Sequence, residues 1–320
     1  MSADDARWMG AALTLAGRGR GQTDPNPSVG CVIVRDGRVV GRGWTQPGGR
    51  PHAEAMALIE AGAAAKGATA YVTLEPCAHV SPRGPACADL LGAAGIGRVV
   101  IAHIDPDPRT HGQGAARLGN AVFLDGRAAE AAHTMEGFFS RLARGRPHVT
   151  LKLATSLDGG IALTSGESQW ITGPRARAHG HLERARTGLI VVGRGTLEAD
   201  APRLDVRLPG LEARSPLRAV LTRGAAPDGW LTLPSPGAIA RAAVDHVLVE
   251  GGAGAASAFL SADLVDRLLL YRAPILIGAA RPALGDIGLD HLADAHGRWR
   301  LADSRLLGSD RLDVYERVRD

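Results

Sequence analysis

Pro51-His52-Ala53-Glu54, followed by Glu75-Pro76-Cys77 and then by Cys87, is the stretch on which the reading of this chain turns. One imidazole and two thiolates can hold a zinc ion through three protein bonds and leave its fourth position open, which separates a catalytic zinc from a structural one. An ion held that way lowers the pKa of a bound water toward neutrality. Glu54, two residues after His52, can face that water without ligating, take a proton from it and hand the proton to a departing amine. The alternative is a pair of buried structural thiols and an exposed histidine. It does not explain why Pro76-Cys77 follows the end of a strand pattern, Ala70-Tyr71-Val72-Thr73-Leu74. The expectation is one catalytic Zn2+ per chain on His52, Cys77 and Cys87, with Glu54 as proton carrier.

The order H-x-E then P-C-x-x-C is the signature of zinc deaminases that act on nucleobases. Here its second half is stretched, with nine residues between the cysteines. A helix pattern follows His52 and another starts near Cys87, so both segments sit at helix N-termini, where backbone N–H groups favour thiolate over thiol. Upstream, residues 4–17 have apolar side chains at helical spacing and end in glycines. Asp24-Pro25-Asn26-Pro27 reads as a loop, where Asn26 serves either as an Asx turn or as a substrate contact with a donor and an acceptor. Residues 31–34 and 39–44 flank Asp36-Gly37 and read as a hairpin. Strands at 99–102 and 121–124 and a helix over 128–143 follow, giving an α/β sandwich on a mixed sheet. Gly145-Arg146-Pro147-His148 then marks a boundary, dividing the chain into 1–146 and 147–320.

The second part opens on a strand, Val149-Thr150-Leu151-Lys152-Leu153-Ala154, and polar glycine-punctuated loops at 155–172, the usual place for a site in an α/β fold. A helix over 174–186 and strands at 188–193, 217–222, 267–273 and 310–318 complete it, and 223–246 reads as irregular. Val247-Leu248-Val249-Glu250 runs into Gly251-Gly252-Ala253-Gly254. Such a turn before a helix either presents backbone N–H groups to a phosphate or simply joins strand to helix.

With 320 residues the chain has material for two domains. Three cysteines are too few and odd in number for a disulfide framework; Cys31, in a buried-strand pattern, reads as a core residue, and a reducing cytoplasm would keep Cys77 and Cys87 available for metal. The N-terminus carries acids and no apolar signal core, and no run approaches bilayer length, so a cytoplasmic enzyme without membrane partners is expected. The formal charge of +4 is spread over scattered arginines, which fits a phosphate-bearing small substrate as well as a nucleic acid.

Pro25-Asn26-Pro27-Ser28-Val29-Gly30, Pro51-His52-Ala53-Glu54, Thr73-Leu74-Glu75-Pro76-Cys77-Ala78-His79, Lys152-Leu153-Ala154-Thr155-Ser156-Leu157-Asp158-Gly159, Ser165-Gly166-Glu167-Ser168-Gln169-Trp170 and Val249-Glu250-Gly251-Gly252 together resemble the bifunctional deaminase/reductase family of riboflavin biosynthesis. The resemblance covers essentially the whole chain. It implies a cytidine-deaminase-like three-layer α/β/α domain acting on 2,5-diamino-6-ribosylamino-4(3H)-pyrimidinone 5′-phosphate. It also implies a dihydrofolate-reductase-like α/β domain that uses NADPH to reduce the ribosyl chain to ribityl. Carried over by position, Ala154, Trp170, Thr196, Asp200 and Gly252-Ala253-Gly254-Ala255-Ala256-Ser257-Ala258 match NADP contacts. Asn26, Ser168, Arg184, Leu204, Arg207 and Glu250 match substrate positions, and Lys152 matches a lysine beside the reacting sugar. Arg184 and Arg207 suit the 5′-phosphate, which a guanidinium grips with two parallel hydrogen bonds, although each could equally be a surface ion pair. The family is assembled as dimers or larger homo-oligomers.

The chain departs from the family pattern in a longer loop between Cys77 and Cys87, in Val80 where a second histidine is usual, in Ala201 where many relatives have Asp, and in a short stretch between Arg207 and Val247. Two other readings share the zinc motif. One is a deaminase whose second half lacks hydride chemistry. The other is a tRNA-type deaminase, which would need a basic, aromatic-bearing surface; the low aromatic content argues against that.

Overall fold

Asp36 and Gly37 both take positive φ, 51° and 70°, and close the expected hairpin between β1 (Gly30–Arg35) and β2 (Arg38–Trp44). This computed structural model describes residues 3–79 and 81–319; Val80 lies outside them. The chain divides into two compact units, Met1–Gly145 and Arg146–Asp320.

In the first unit β1 pairs antiparallel with β2 on one side and with β3 (Thr69–Val72) on the other. Next come β4 (Arg98–Ile101) and β5 (Ala121–Phe123), parallel to β3. The sheet order is β2-β1-β3-β4-β5. Ala70-Tyr71-Val72 and Val99-Val100-Ile101 are buried throughout, as strands covered on both faces require. Helices α1 (Ala3–Ala16) and α2 (Ala53–Ala61) supply that cover. In the register Gly30 pairs Trp44 and Cys31 pairs Gly43, so the two glycines face opposite sides of the sheet. A Cβ on Gly30 would fall 1.9 Å from Ala12 O of α1, and one on Gly43 would fall 2.0 Å from Ala53 O of α2. The helices therefore lie hard against opposite faces, which makes three layers.

Helices α3 (Cys87–Ala93) and α4 (Gln113–Leu118) follow the third and fourth strands. The single helix expected over 128–143 is two, α5 (Ala128–Thr134) and α6 (Glu136–Arg144). The break falls at Met135, at φ −120° and ψ 18°. Met135 is buried in the core, and Thr134 Oγ1 donates to Ala131 O at 2.7 Å, a local bond that competes with helix propagation.

The second unit contains β6 (His148–Thr155), β7 (Gly160–Leu163), α7 (Pro174–Arg184), β8 (Leu189–Gly193) and α8 (Arg194–Asp200). Then come β9 (Leu217–Leu221), β10 (Leu231–Leu233), β11 (His246–Val249) and α9 (Ala253–Ser261). The last strands are β12 (Arg267–Arg272), β13 (Ala280–Pro282), β14 (Trp299–Leu307) and β15 (Asp310–Arg317). One sheet runs β10-β9-β8-β11-β6-β12-β15-β14, parallel from β10 to β12 and antiparallel beyond. β7 and β13 form a separate antiparallel ribbon. Arg146 opens the unit by gripping Asp266 at 2.6 and 2.8 Å. The stretch expected to be irregular contains β10 and a 3₁₀ turn, Pro236–Arg241.

Candidate active sites

The first site is assembled where β3 runs out. His52 is extended, at φ −72° and ψ 163°, and stands immediately before the first turn of α2. Cys87 is the first residue of α3, and its N–H donates to Cys77 Sγ at 3.3 Å. His52 Nδ1 lies 3.6 Å from Cys77 Sγ and 3.3 Å from Cys87 Sγ. The three donor atoms all fall within 4.8 Å of one another. A tetrahedral zinc with Zn–N near 2.0 Å and Zn–S near 2.3 Å spaces nitrogen and sulfur about 3.5 Å apart, so spacing and donor chemistry both fit that ion. Hydrogen bonding from Cys87 first, then from His52 and the Cys87 N–H, brings the Cys77 thiol down to about 4. The same pairing, with burial, raises Cys87 well above its ordinary value. The pairing thus favours the thiolate, the form that ligates, on Cys77.

Glu54, in the first turn of α2, is 3% exposed. Burial raises its carboxyl, the His52 imidazole works against that, and the Cys77 sulfur adds to it. A carboxyl whose affinity for a proton is raised by burial is suited to carry one between water and a leaving group. Asn26 Nδ2 lies 3.0 Å from His52 Nε2, on the metal-site imidazole itself. Glu75, named in the motif but given no role by the sequence, accepts from three backbone N–H groups: Gly112 at 2.9 Å, Ala115 at 3.0 Å and Asp105 at 3.2 Å. It thereby pins the 105–115 loop beside Cys77, and Thr110 of that loop touches His79 Nδ1 at 3.3 Å. Arg83 is exposed on the loop before Cys87 and donates to Gly48 O at 2.6 Å.

The second site is a cavity of about 890 Å3 at the C-terminal ends of the parallel strands, where open α/β sheets bind ligands. Lys152, Ala154, Ser168, Trp170, Thr196, Asp200, Arg207, Glu250 and residues 252–255 all line it. Ala256, Ser257 and Ala258 do not. They lie farther along α9, where Ala256 is fully buried and Ser257 Oγ accepts from Gly285 N–H at 2.8 Å. Leu204 reaches the wall at φ 56°, yet its side chain packs among Ile190, Val192 and Leu248, leaving backbone to face a ligand. Thr196 Oγ1 accepts from Gly252 N–H at 2.9 Å, tying α8 to the glycine turn.

Arg184 also lines the cavity, but its guanidinium is engaged. Nε and Nη2 each lie 2.8 Å from the Glu250 carboxylate, and Nη1 donates to Asp205 O at 3.1 Å. Lys152 Nζ lies 4.0 Å from Glu250 Oε2 and 5.7 Å over the Tyr271 ring. Burial pushes the Glu250 carboxyl up, but Arg184 and Lys152 outweigh it and the net shift is downward. Arg207 is the more open of the two expected phosphate arginines, half exposed, with Nε 3.4 Å from His181 Nε2. Arg177, which no local sequence signal marks, stacks on Trp170 at 4.8 Å.

With both sites described, the comparisons are specific. The profile of the cytidine and deoxycytidylate deaminase zinc-binding region matches residues 2–103, and that of the RibD C-terminal domain matches 147–231 and 238–312. The chain is 38% identical to the riboflavin biosynthesis protein RibD of Escherichia coli, covering 96% of this chain and 97% of that protein. It is 40% identical to RibD of Mycobacterium tuberculosis, covering 97% and 96%. The chain belongs to the RibD family. A solved Acinetobacter baumannii RibD superposes with a TM-score of 0.88 at 36% identity, covering 99% of each chain. A Thermotoga maritima structure described as a diaminohydroxyphosphoribosylaminopyrimidine deaminase/5-amino-6-(5-phosphoribosylamino)uracil reductase superposes at 0.86 and 30% identity, covering 98% and 99%.

Membership of the RibD family bears out the expected fold class, a deaminase-like first half and a reductase half on mixed α/β sheets. The reductase-type match spans the stretch that looked shortened, apart from a gap at 232–237. A tRNA-type deaminase would leave that second match unexplained. Among the described residues, no helix is long and apolar enough to cross a membrane.

Proposed function

We infer that this chain carries out two consecutive steps of riboflavin biosynthesis. Residues 1–146 deaminate 2,5-diamino-6-ribosylamino-4(3H)-pyrimidinone 5′-phosphate, and residues 147–320 reduce the ribosyl group of the product to ribityl with NADPH. The observation that carries the reading is the coexistence, in one RibD-family chain, of the His52–Cys77–Cys87 donor set with buried Glu54 and a cavity in which Lys152 meets Glu250.

In the first half His52, Cys77 and Cys87 would hold zinc, which when bound makes a water nucleophilic near neutral pH. Glu54 takes one proton from that water and delivers it to the ring amine, which leaves as ammonia as the ring carbon gains its oxygen. The buried wall around Glu54 keeps the shuttled proton from bulk solvent.

In the second half Ala154, Trp170, Thr196, Asp200 and the turn at 252–255 would hold NADPH, which supplies the hydride. Lys152, held by Glu250, hands a proton to the opened sugar as C1′ is reduced. Arg207 meets the 5′-phosphate, Ser168 and the Leu204 backbone line the rest of that wall, and Arg184 keeps Glu250 ionised and in place. Trp170 and Arg177 close the outer wall. By the family resemblance the enzyme is a cytoplasmic homo-oligomer, a dimer or larger.

Product analysis with the diaminopyrimidine phosphate tests both steps. Without NADPH the deaminated ribosyl compound accumulates; with NADPH it becomes the ribityl compound. Deamination without NADPH consumption would leave the first half standing and refute the second.

A further inference from the structure

Asn26 lies between Pro25 and Pro27, in the loop ahead of β1, with its carboxamide nitrogen 3.0 Å from His52 Nε2. Gly49 is stacked on the same carboxamide: at φ 83° it passes where a Cβ would fall 2.7 Å from Asn26 Cγ and Oδ1. Asn26 N–H closes its own loop on Thr23 O, and Gly48 N–H ties the two loops together through Gln22 O, both at 2.8 Å. His52 presents Nδ1 to the two sulfurs, so Nε2 is the ring atom left to be gripped from outside.

An imidazole that gives its Nδ1 lone pair to a metal carries its proton on Nε2, and the group facing Nε2 must then accept. A carboxamide can do so from the same position, because a half-turn about its terminal torsion exchanges Nδ2 for Oδ1. We propose that Asn26 is a positioning residue of the metal centre: through Oδ1 it holds His52 as the Nε2–H tautomer, with the Nδ1 lone pair aimed between Cys77 and Cys87. The proposal rests on the zinc reading above and assigns Asn26 a role the substrate-contact expectation does not contain. The prolines and Gly49 are what make the grip rigid.

The test uses full-length Asn26→Ala, Asn26→Leu and Asn26→Asp beside the parent, with zinc affinity read by competition against a chromophoric chelator and the site geometry by Co2+ absorption. Losing such an outer partner lowers metal affinity about 10- to 100-fold, which is expected for Ala and for the near-isosteric Leu. Asp, which accepts through either oxygen, should stay within about threefold of the parent and keep its Co2+ spectrum. Thermal melts of the metal-free proteins identify a variant that fails to fold, and the Leu and Asp pair still decides if Ala does. A substrate-only role predicts a raised KM with parental zinc affinity in all three, and that result would overturn the proposal. So would an Asp variant that loses zinc as badly as Ala. A parent chain that binds no zinc at all is a different failure, that of the site reading itself.

Discussion

Replacing Arg184 by Met keeps most of the side-chain stem but leaves the Glu250 carboxylate without its bidentate partner. Both contacts are 2.8 Å long, and the two side chains are 15% and 10% exposed. Removing one member of a buried pair costs about 3–5 kcal/mol, because the other charge stays buried and unpaired. Lys152, 4.0 Å away, compensates part of that, so a loss of about 3 kcal/mol in the second unit is expected at pH 7.5. The pH dependence follows from the direction of the Glu250 shift. Its folded pKa lies below the ordinary 4.5, so the pair's contribution is complete above about that pH and is lost as pH falls through the lowered value. The variant's deficit is therefore largest near neutrality and shrinks in acid. Urea unfolding followed by tryptophan fluorescence measures it, with Trp170, Trp230 and Trp299 reporting on this half. A deficit below about 1 kcal/mol, within the range of exposed pairs, would refute the argument. So would one that is undiminished in a Glu250→Gln background, where the stranded charge no longer exists.

Glu54→Gln should lower deamination by at least 10²- to 10⁴-fold, the usual worth of a positioned proton carrier, with zinc still bound at parental stoichiometry; loss of metal would contradict its role. Lys152→Ala should slow only the second step, so that chromatography shows deaminated ribosyl product building up, and accumulation of the starting pyrimidine would count against it. Gly43→Ala forces a methyl to within 2.0 Å of Ala53 O and must displace α2, costing about 1–3 kcal/mol or more. Because His52 and Glu54 ride on that helix, zinc affinity should fall with the melting temperature; a variant parental in both would show that α2 moves freely. Removing the metal with a chelator should abolish deamination and leave NADPH binding, followed by fluorescence, unchanged.

Much of the fold could be read locally. The Asp36-Gly37 hairpin, the helices after His52 and at Cys87, and the buried runs at 99–101, 189–192 and 247–249 were visible because turn chemistry and apolar period act over a few residues. What stayed hidden has a common physical origin. β14 is exposed along nearly its whole length, so it has no buried face to impose alternation, and it exists because β15 offers it backbone partners. The β7–β13 ribbon joins segments of four and three residues that lie far apart in sequence, too short for either period to register. The break at Met135 depends on a buried side chain that periodicity alone assigned to a continuous helix.

The two sites differ in legibility for a chemical reason. A metal needs particular donor atoms, and few residue types provide them, so His52, Cys77 and Cys87 stand out even across a stretched loop. The reductase-like cavity asks mainly for shape, backbone and charge, which many residues provide. Position by position, the family pattern placed ten residues and the start of the glycine turn on the cavity wall, but it could not say what each atom does there. Arg184 shows the difference. As a sequence symbol it is a guanidinium suited to a phosphate, and only its 2.8 Å contacts reveal that Glu250 already takes both of its parallel donors. In the function proposed above the 5′-phosphate then falls to Arg207, whose ring partner His181 is neutral-leaning through burial and through the nearby positive charges of Arg184 and Arg207. Neutral His181 can accept from the Arg207 Nε–H and aim the guanidinium; protonated, it would repel it. Substrate affinity in the second step should therefore weaken as pH falls below His181's lowered value, while deamination keeps its own profile, and KM measured against pH for the two steps separately decides it.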